Sequence, residues 1–252
     1  MSGFSSEVST EDGTVSLVIT GLPGSGKTRV IQSLHNKLTG PGYFESQDLS
    51  DLNQVTLPYQ ILCVIDVRAS LISGRDDWLE ERLQQLLLSA DGIIFSFLES
   101  ASLDDQVWWN KWVALNAGQL PIVRWLNQSF PAAWKGFSFQ DDLLQSTVEV
   151  LSKELKPLQV YEFSVGRICW EHLLFGLDSS KQNLEMKIAR VKGVVQTLEY
   201  ENKVAIEGSA TGWELFAADE NNLADGVLGR LQIQGVDLDQ AWLDEIVKAS
   251  LV

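Results

Sequence analysis

Residues 14–28 read TVSLVITGLPGSGKT: a short β-branched run, then a glycine-rich loop closing on Lys-Thr. Val30, Ile31, Leu34 and Leu38 follow at helical spacing. Few chains can carry that order without placing the loop between a buried strand and the start of a helix. A polyphosphate needs many N–H donors close by, unobstructed by side chains. Gly21, Gly24 and Gly26 allow the approach and the backbone angles it requires. The helix N-terminus adds its amides and dipole. In such a loop Lys27 reaches the β- and γ-phosphates and the Thr28 hydroxyl coordinates Mg²⁺. Gly21, Leu22, Pro23, Gly24, Ser25, Gly26, Lys27, Thr28 and Arg29 are therefore the expected nucleotide-binding residues.

Downstream, ILCVIDV (61–67), GIIFSFL (92–98) and PIVRWL (121–126) read as buried strands. Between them, 76–90 and 104–117 read as amphipathic helices. The first carries Trp78, Leu79, Leu83, Leu86, Leu87 and Ala90, the second Val107, Trp108, Trp112 and Leu115. Residues 43–58 read as polar and irregular. Alternating strands and helices predict an α/β fold, a P-loop NTPase parallel sheet with helices on both faces. A helix over about 140–155 stops at Pro157, and the pattern then changes. A short helix near 166–175 precedes strand-like runs at 186–198, 202–208, 212–218 and 229–234, and a last helix at 238–249. Strands in succession predict a smaller C-terminal α+β domain. The expected organisation is a leader at 1–13, a P-loop domain at 14–157 and a second domain at 158–252.

The chain has 252 residues and a net charge of −15. An acidic surface argues against nucleic acid and against an anionic membrane surface as partners. No stretch approaches the ~18 consecutive apolar residues of a membrane span, and the polar, acidic start lacks the features of a secretory signal. Cys63 and Cys169 sit in apolar runs and read as buried free thiols, which suits the reducing cytoplasm.

Four segments resemble the CobW family of P-loop GTPases, which act as metallochaperones or metal-insertion factors: VITGLPGSGKT; VIDVRAS with the later LSADGIIF; LNAGQLPIV; and IARVKGVV (188–195) with RLQIQGVDLDQAWL (230–243). The resemblance spans most of the chain. It implies GTP, Mg²⁺, a client protein and a CobW-like C-terminal domain over 158–252. Three departures accompany it. The family's Cys-x-Cys-Cys metal site is absent, so no metal ligands are assigned. The guanine-reading Asn-Lys-x-Asp motif is replaced by Ser96, Phe97, Leu98 and Glu99, which leaves GTP or ATP as the ligand. The segment between the first helix and the second strand is too short for full switch regions, so no catalytic residue is named and hydrolysis is expected to be weak.

Other residues carry two readings each. Asp66, closing ILCVID, either supports Mg²⁺ with Thr28 or caps the following turn. Trp108, Trp109 and Trp112 are core packing or an interface patch, with Trp109, which points away from the other two, as the interface candidate. His35 and His172 read as ordinary helix residues. Asp76-Asp77, Asp104-Asp105 and Asp141-Asp142 read as helix caps. Three functions follow: a GTP-dependent metal-delivery protein, a nucleotide-binding regulatory module with little hydrolysis, and, third, a small-molecule kinase. The oligomeric state stays open.

Overall fold

The computed structural model describes residues 16–37, 42–46, 59–134, 155–183, 186–209, 212–218 and 228–252. The expected leader (1–13), the body of the helix at 140–155 and the Asp141-Asp142 cap lie outside these residues. The chain divides into two compact units, the first ending at Leu155 and the second beginning at Lys156.

The first unit is a five-stranded parallel sheet in the order β2-β1-β3-β4-β5. Its strands are β1 (Ser16–Gly21), β2 (Tyr43–Glu45), β3 (Tyr59–Asp66), β4 (Gly92–Ser96) and β5 (Ile122–Arg124). Helix α1 (Lys27–Lys37) joins β1 to β2. Helices α2 (Asp77–Leu88) and α3 (Leu103–Ala117) make the crossovers β3 to β4 and β4 to β5. The chain steps one way from β1 to β2 and the other way from β3 to β5. Right-handed crossovers therefore put α1 on one face and α2 with α3 on the other. Leu17, Ile19, Leu62, Val64 and Ile94 pack with Val30 and Leu34 of α1. The alternate residues Val18, Ile61, Cys63, Ile65, Ile93 and Phe95 are buried as well. Both faces of the sheet are thus covered, which is why its strands read as continuous apolar runs.

Two readings of this unit need correction. Tyr43–Glu45 is not irregular: it pairs in parallel with β1, Leu17 opposite Tyr43 and Ile19 opposite Glu45. Three residues are too few to show a period. The apolar face of α3 is also rotated from its expected place. Trp109, Trp112, Val113 and Ala117 are buried, whereas Val107 and Leu115 are exposed, Leu115 at 87%. Trp109 is 2% exposed and its indole N–H donates to the Ala69 carbonyl at 3.1 Å, so it is a core residue and not an interface. Periodicity places an apolar stripe only to within one residue when apolar residues run side by side, as at 107–109 and 112–115.

The second unit is an antiparallel sheet in the order β10-β9-β8-β11-β6, with the two-residue β7 (Arg167–Ile168) paired to β8 in parallel. The ranges are β6 (Gln159–Ser164), β8 (Lys187–Thr197), β9 (Val204–Ser209), β10 (Trp213–Ala217) and β11 (Arg230–Val236). Helices α4 (Trp170–Asn183) and α5 (Gln240–Ser250) pack on each other and on the sheet. Their Leu173, Leu177, Leu243 and Val247 share a core with Ile188, Val191, Leu231 and Ile233. The α+β reading holds for this unit. The helix expected near 166–175 begins later and runs longer, and residues 159–164, given no element from the sequence, form the edge strand β6 beside β11.

Candidate functional site

The sheet order reverses direction at β1: its neighbours β2 and β3 lead the chain to opposite sides. At such a switch point the C-terminal ends of parallel strands open a crevice, the usual ligand position in open α/β sheets. Gly21 ends β1 there, and the loop through Thr28 crosses the crevice into α1.

The loop conformation needs its glycines. Gly21, Gly24 and Gly26 have φ of +144°, +86° and +88°. A Cβ on Gly21 would lie 2.3 Å from the Val64 carbonyl oxygen of β3, and one on Gly26 would lie 2.9 Å from the Phe97 ring. The Ser25 N–H donates to the Leu22 carbonyl at 3.1 Å, making a tight turn that includes Pro23. The Val30 N–H donates to the Gly26 carbonyl at 3.0 Å and opens the helix. Lys27 is 5% exposed, and its ammonium donates to the Gly21 carbonyl at 3.0 Å and the Leu22 carbonyl at 3.1 Å. A buried cation so held arches over the start of the loop, beside amides that an anion can use. Thr20 Oγ1 and Ser25 Oγ are buried at the same loop and have no hydrogen-bond partner. Beneath it, burial pushes the Cys63 thiol up to about 12, the charge of Lys27 pulling weakly the other way. Cys63 and Cys169 are both free and buried.

Thr28 and Arg29 are exposed at the first turn of α1. The Thr28 hydroxyl donates to Glu45 Oε2 at 2.8 Å. Glu45 ends β2, on the side of β1 away from β3. It is the site residue that sequence reading missed. The only trace in the sequence is a carboxylate after two aromatic residues in a polar stretch. Threonine hydroxyl and carboxylate are hard oxygen donors, and the pair fits Mg²⁺.

Asp66 ends β3 and is not turned toward Thr28 by any contact of its own. Its Oδ1 accepts from the Arg68 backbone N–H at 3.0 Å, the turn-capping arrangement. Its two oxygens also hold the Arg68 guanidinium, Oδ2 at 2.7 Å from Nη2 and both at 3.1 Å from Nε. Ser96, at the end of β4, donates its hydroxyl toward the Ser25 carbonyl at 2.8 Å and the Ile65 carbonyl at 3.1 Å. It ties the glycine-rich loop to the ends of β3 and β4. Phe97 follows with φ of +59°, a strained backbone for a bulky residue. Its ring lies against Gly26, under the Arg68 guanidinium carbon at 4.0 Å and within 5.5 Å of that of Arg29. Glu99 is exposed on a 3₁₀ turn over Leu98–Ser100.

The other paired acids act locally. Asp105 sits in the first turn of α3: its N–H donates to Ser102 Oγ at 3.0 Å, and its carboxylate accepts from the Ser70 N–H at 2.8 Å and the Ser102 hydroxyl at 2.5 Å. The Ser102 hydroxyl, first among its causes, holds the Asp105 carboxyl below the usual range. Asp76 binds back to the Ile72 N–H at 2.9 Å and makes no side-chain cap to α2. The cap reading fails for Asp76 because Arg75, 2.6 Å from its carboxylate, and that preceding amide take both oxygens.

No family model matches the chain, and no curated protein matches it. Two solved structures match it at low similarity. One is a Zn(II)-bound triple mutant of YjiA GTPase, 8% identical, covering 96% of this chain and 92% of that one at a TM-score of 0.32. The other is the Zn(II)-bound YjiA GTPase from E. coli, 11% identical, covering 95% and 98% at a TM-score of 0.29. Likeness this low leaves function to the residues of the site. The architecture itself is that of a P-loop NTPase domain followed by an α+β domain.

Proposed function

We propose that the chain is a cytoplasmic nucleoside-triphosphate-binding protein of the CobW-like GTPase type, using Mg²⁺ and hydrolysing its ligand slowly. The observation that carries the proposal is the arch of Lys27 over the Gly21 and Leu22 carbonyls, beside a helix N-terminus, with Thr28 joined to Glu45. Backbone amides of residues 24–28, the ammonium of Lys27 and the guanidinium of Arg29 hold the phosphates. Thr28 and Glu45 hold Mg²⁺, which when bound neutralises charge building on the phosphate oxygens. Asp66, engaged by Arg68, is the competing acid for that ion. Described helices are all too short or too polar to cross a membrane.

The Mg²⁺ dependence of nucleotide binding separates the two acids. Glu45→Gln raising the Mg²⁺ requirement, with Asp66→Asn silent, supports Thr28 with Glu45; the reverse pattern returns the ion to Asp66. A phosphate-release assay should give turnover at or below about 10⁻² s⁻¹, the scale of unassisted P-loop GTPases. Metal delivery to a client protein enters through the CobW resemblance. Among the described residues no group of three or more His, Cys, Asp or Glu could hold a metal ion. Elemental analysis after loading with Zn²⁺ or Co²⁺ decides that role: one bound equivalent supports it, and none leaves a nucleotide-responsive regulatory module.

A further inference from the structure

The Thr28–Glu45 pair puts the metal end of a bound triphosphate on the β2 side of the loop. The nucleoside end must then leave over the C-terminal ends of β3 and β4, where Arg68 and Phe97 stand. What these strand ends offer is a guanidinium set over an aromatic ring. Phe97 is pressed on Gly26 by its left-handed backbone, and the Arg68 guanidinium is centred 4.0 Å over the ring. Asp66 fixes the plane of that guanidinium through both carboxylate oxygens. Arg68 keeps 21% of its side-chain surface exposed and Arg29 is exposed at the same edge. Ser96, which could have read a base edge, is spent on the Ser25 and Ile65 carbonyls.

We infer that the nucleobase is held by stacking on the Arg68–Phe97 platform, so that the site accepts GTP and ATP without choosing between them. A guanidinium plane backed by an aromatic ring attracts any purine face and carries no donor–acceptor code. Guanine selectivity would need an acceptor aimed at the base edge, and a site built on such a bond rejects the wrong base strongly. This inference rests on the triphosphate reading above and assigns the specificity of that site.

Calorimetry on the full chain with Mg²⁺ tests it, using GTP, ATP and inorganic tripolyphosphate as probes. The expected result is GTP and ATP affinities within about tenfold of each other, and Glu99→Gln changing neither. Arg68→Lys keeps the charge and removes the plane. It should weaken both nucleotides by about fivefold or more while leaving tripolyphosphate unchanged. Phe97→Leu, with its fold confirmed by thermal unfolding, should do the same to both nucleotides. A GTP preference above about tenfold that vanishes in Glu99→Gln overturns the inference. So does Arg68→Lys binding both nucleotides as the parent does. Tripolyphosphate bound as tightly as the nucleotides removes the platform but leaves the phosphate loop standing. Failure of all three probes removes the triphosphate reading and the platform with it.

Discussion

At the scale of single residues, the site depends on positions where nothing larger fits. Gly26→Ala adds a Cβ 2.9 Å from the Phe97 ring at a φ of +88°, so both sterics and backbone oppose it. We expect the variant to fold with α1 intact and to lose triphosphate binding by about tenfold or more, read by calorimetry against the parent. Much of this was legible: GLPGSGKT names its own donors, and Asp66 showed both of its readings, of which the turn-capping contact is present in the structure. Glu45 was not legible. A single carboxylate in a polar stretch has no period or spacing to mark it, and only the pairing of Tyr43–Glu45 with β1 brings it to Thr28. Phe97 was visible as a departure from a guanine motif. Its position over Gly26 follows from a φ of +59°, which no sequence pattern announces.

At the scale of elements, the parallel sheet was readable because burial on both faces forces continuous apolar runs such as ILCVID and GIIFS. Helix α3 shows where that logic fails. Leu103, Val107 and Leu115 are exposed while Trp109, Trp112 and Val113 are buried, because indole hydrogen bonds to Ala69 and to Glu80 (2.8 Å from Trp112 Nε1) set the rotation. Trp109→Ala should therefore cost about 3–5 kcal/mol in urea unfolding, the range for a large core aromatic; a loss under about 1 kcal/mol would return Trp109 to the surface. The start of the same helix is pH-sensitive. Asp105 has its carboxyl held below the ordinary value, chiefly by the Ser102 hydroxyl. Its contribution is complete above the unfolded carboxylate value of about 3.9 and disappears as the pH falls through the lower folded value. Asp105→Asn should destabilise the chain by about 1 kcal/mol near neutrality, with the difference from the parent shrinking in acid, followed by urea titrations at both ends of that range.

For the whole molecule, the change from alternating to consecutive strands after Pro157 reflects two different ways of covering a sheet. The first unit buries both faces, while the second packs α4 and α5 against β8, β9 and β11 around Leu173, Val191, Ile233 and Leu243. A core of that kind is self-contained. Residues 156–252 expressed alone should unfold in one cooperative thermal transition, and a broad, non-cooperative melt would show that the core is incomplete. Edge strand β6 escaped sequence reading because its exposed, apolar Val160 hides the alternation that Tyr161, Glu162 and Phe163 would otherwise show. The net charge of −15 does not oppose the proposed site, where the anion would be met by local amides, Lys27 and Arg29 and not by the surface field. The most direct test of that claim is calorimetric titration of GTP and ATP into the full chain with Mg²⁺, repeated on Lys27→Ala. We predict saturable binding to the parent, weakened about tenfold or more in the variant with its unfolding transition still cooperative. Neither triphosphate binding the parent at millimolar concentration, or the variant binding as the parent does, would contradict it.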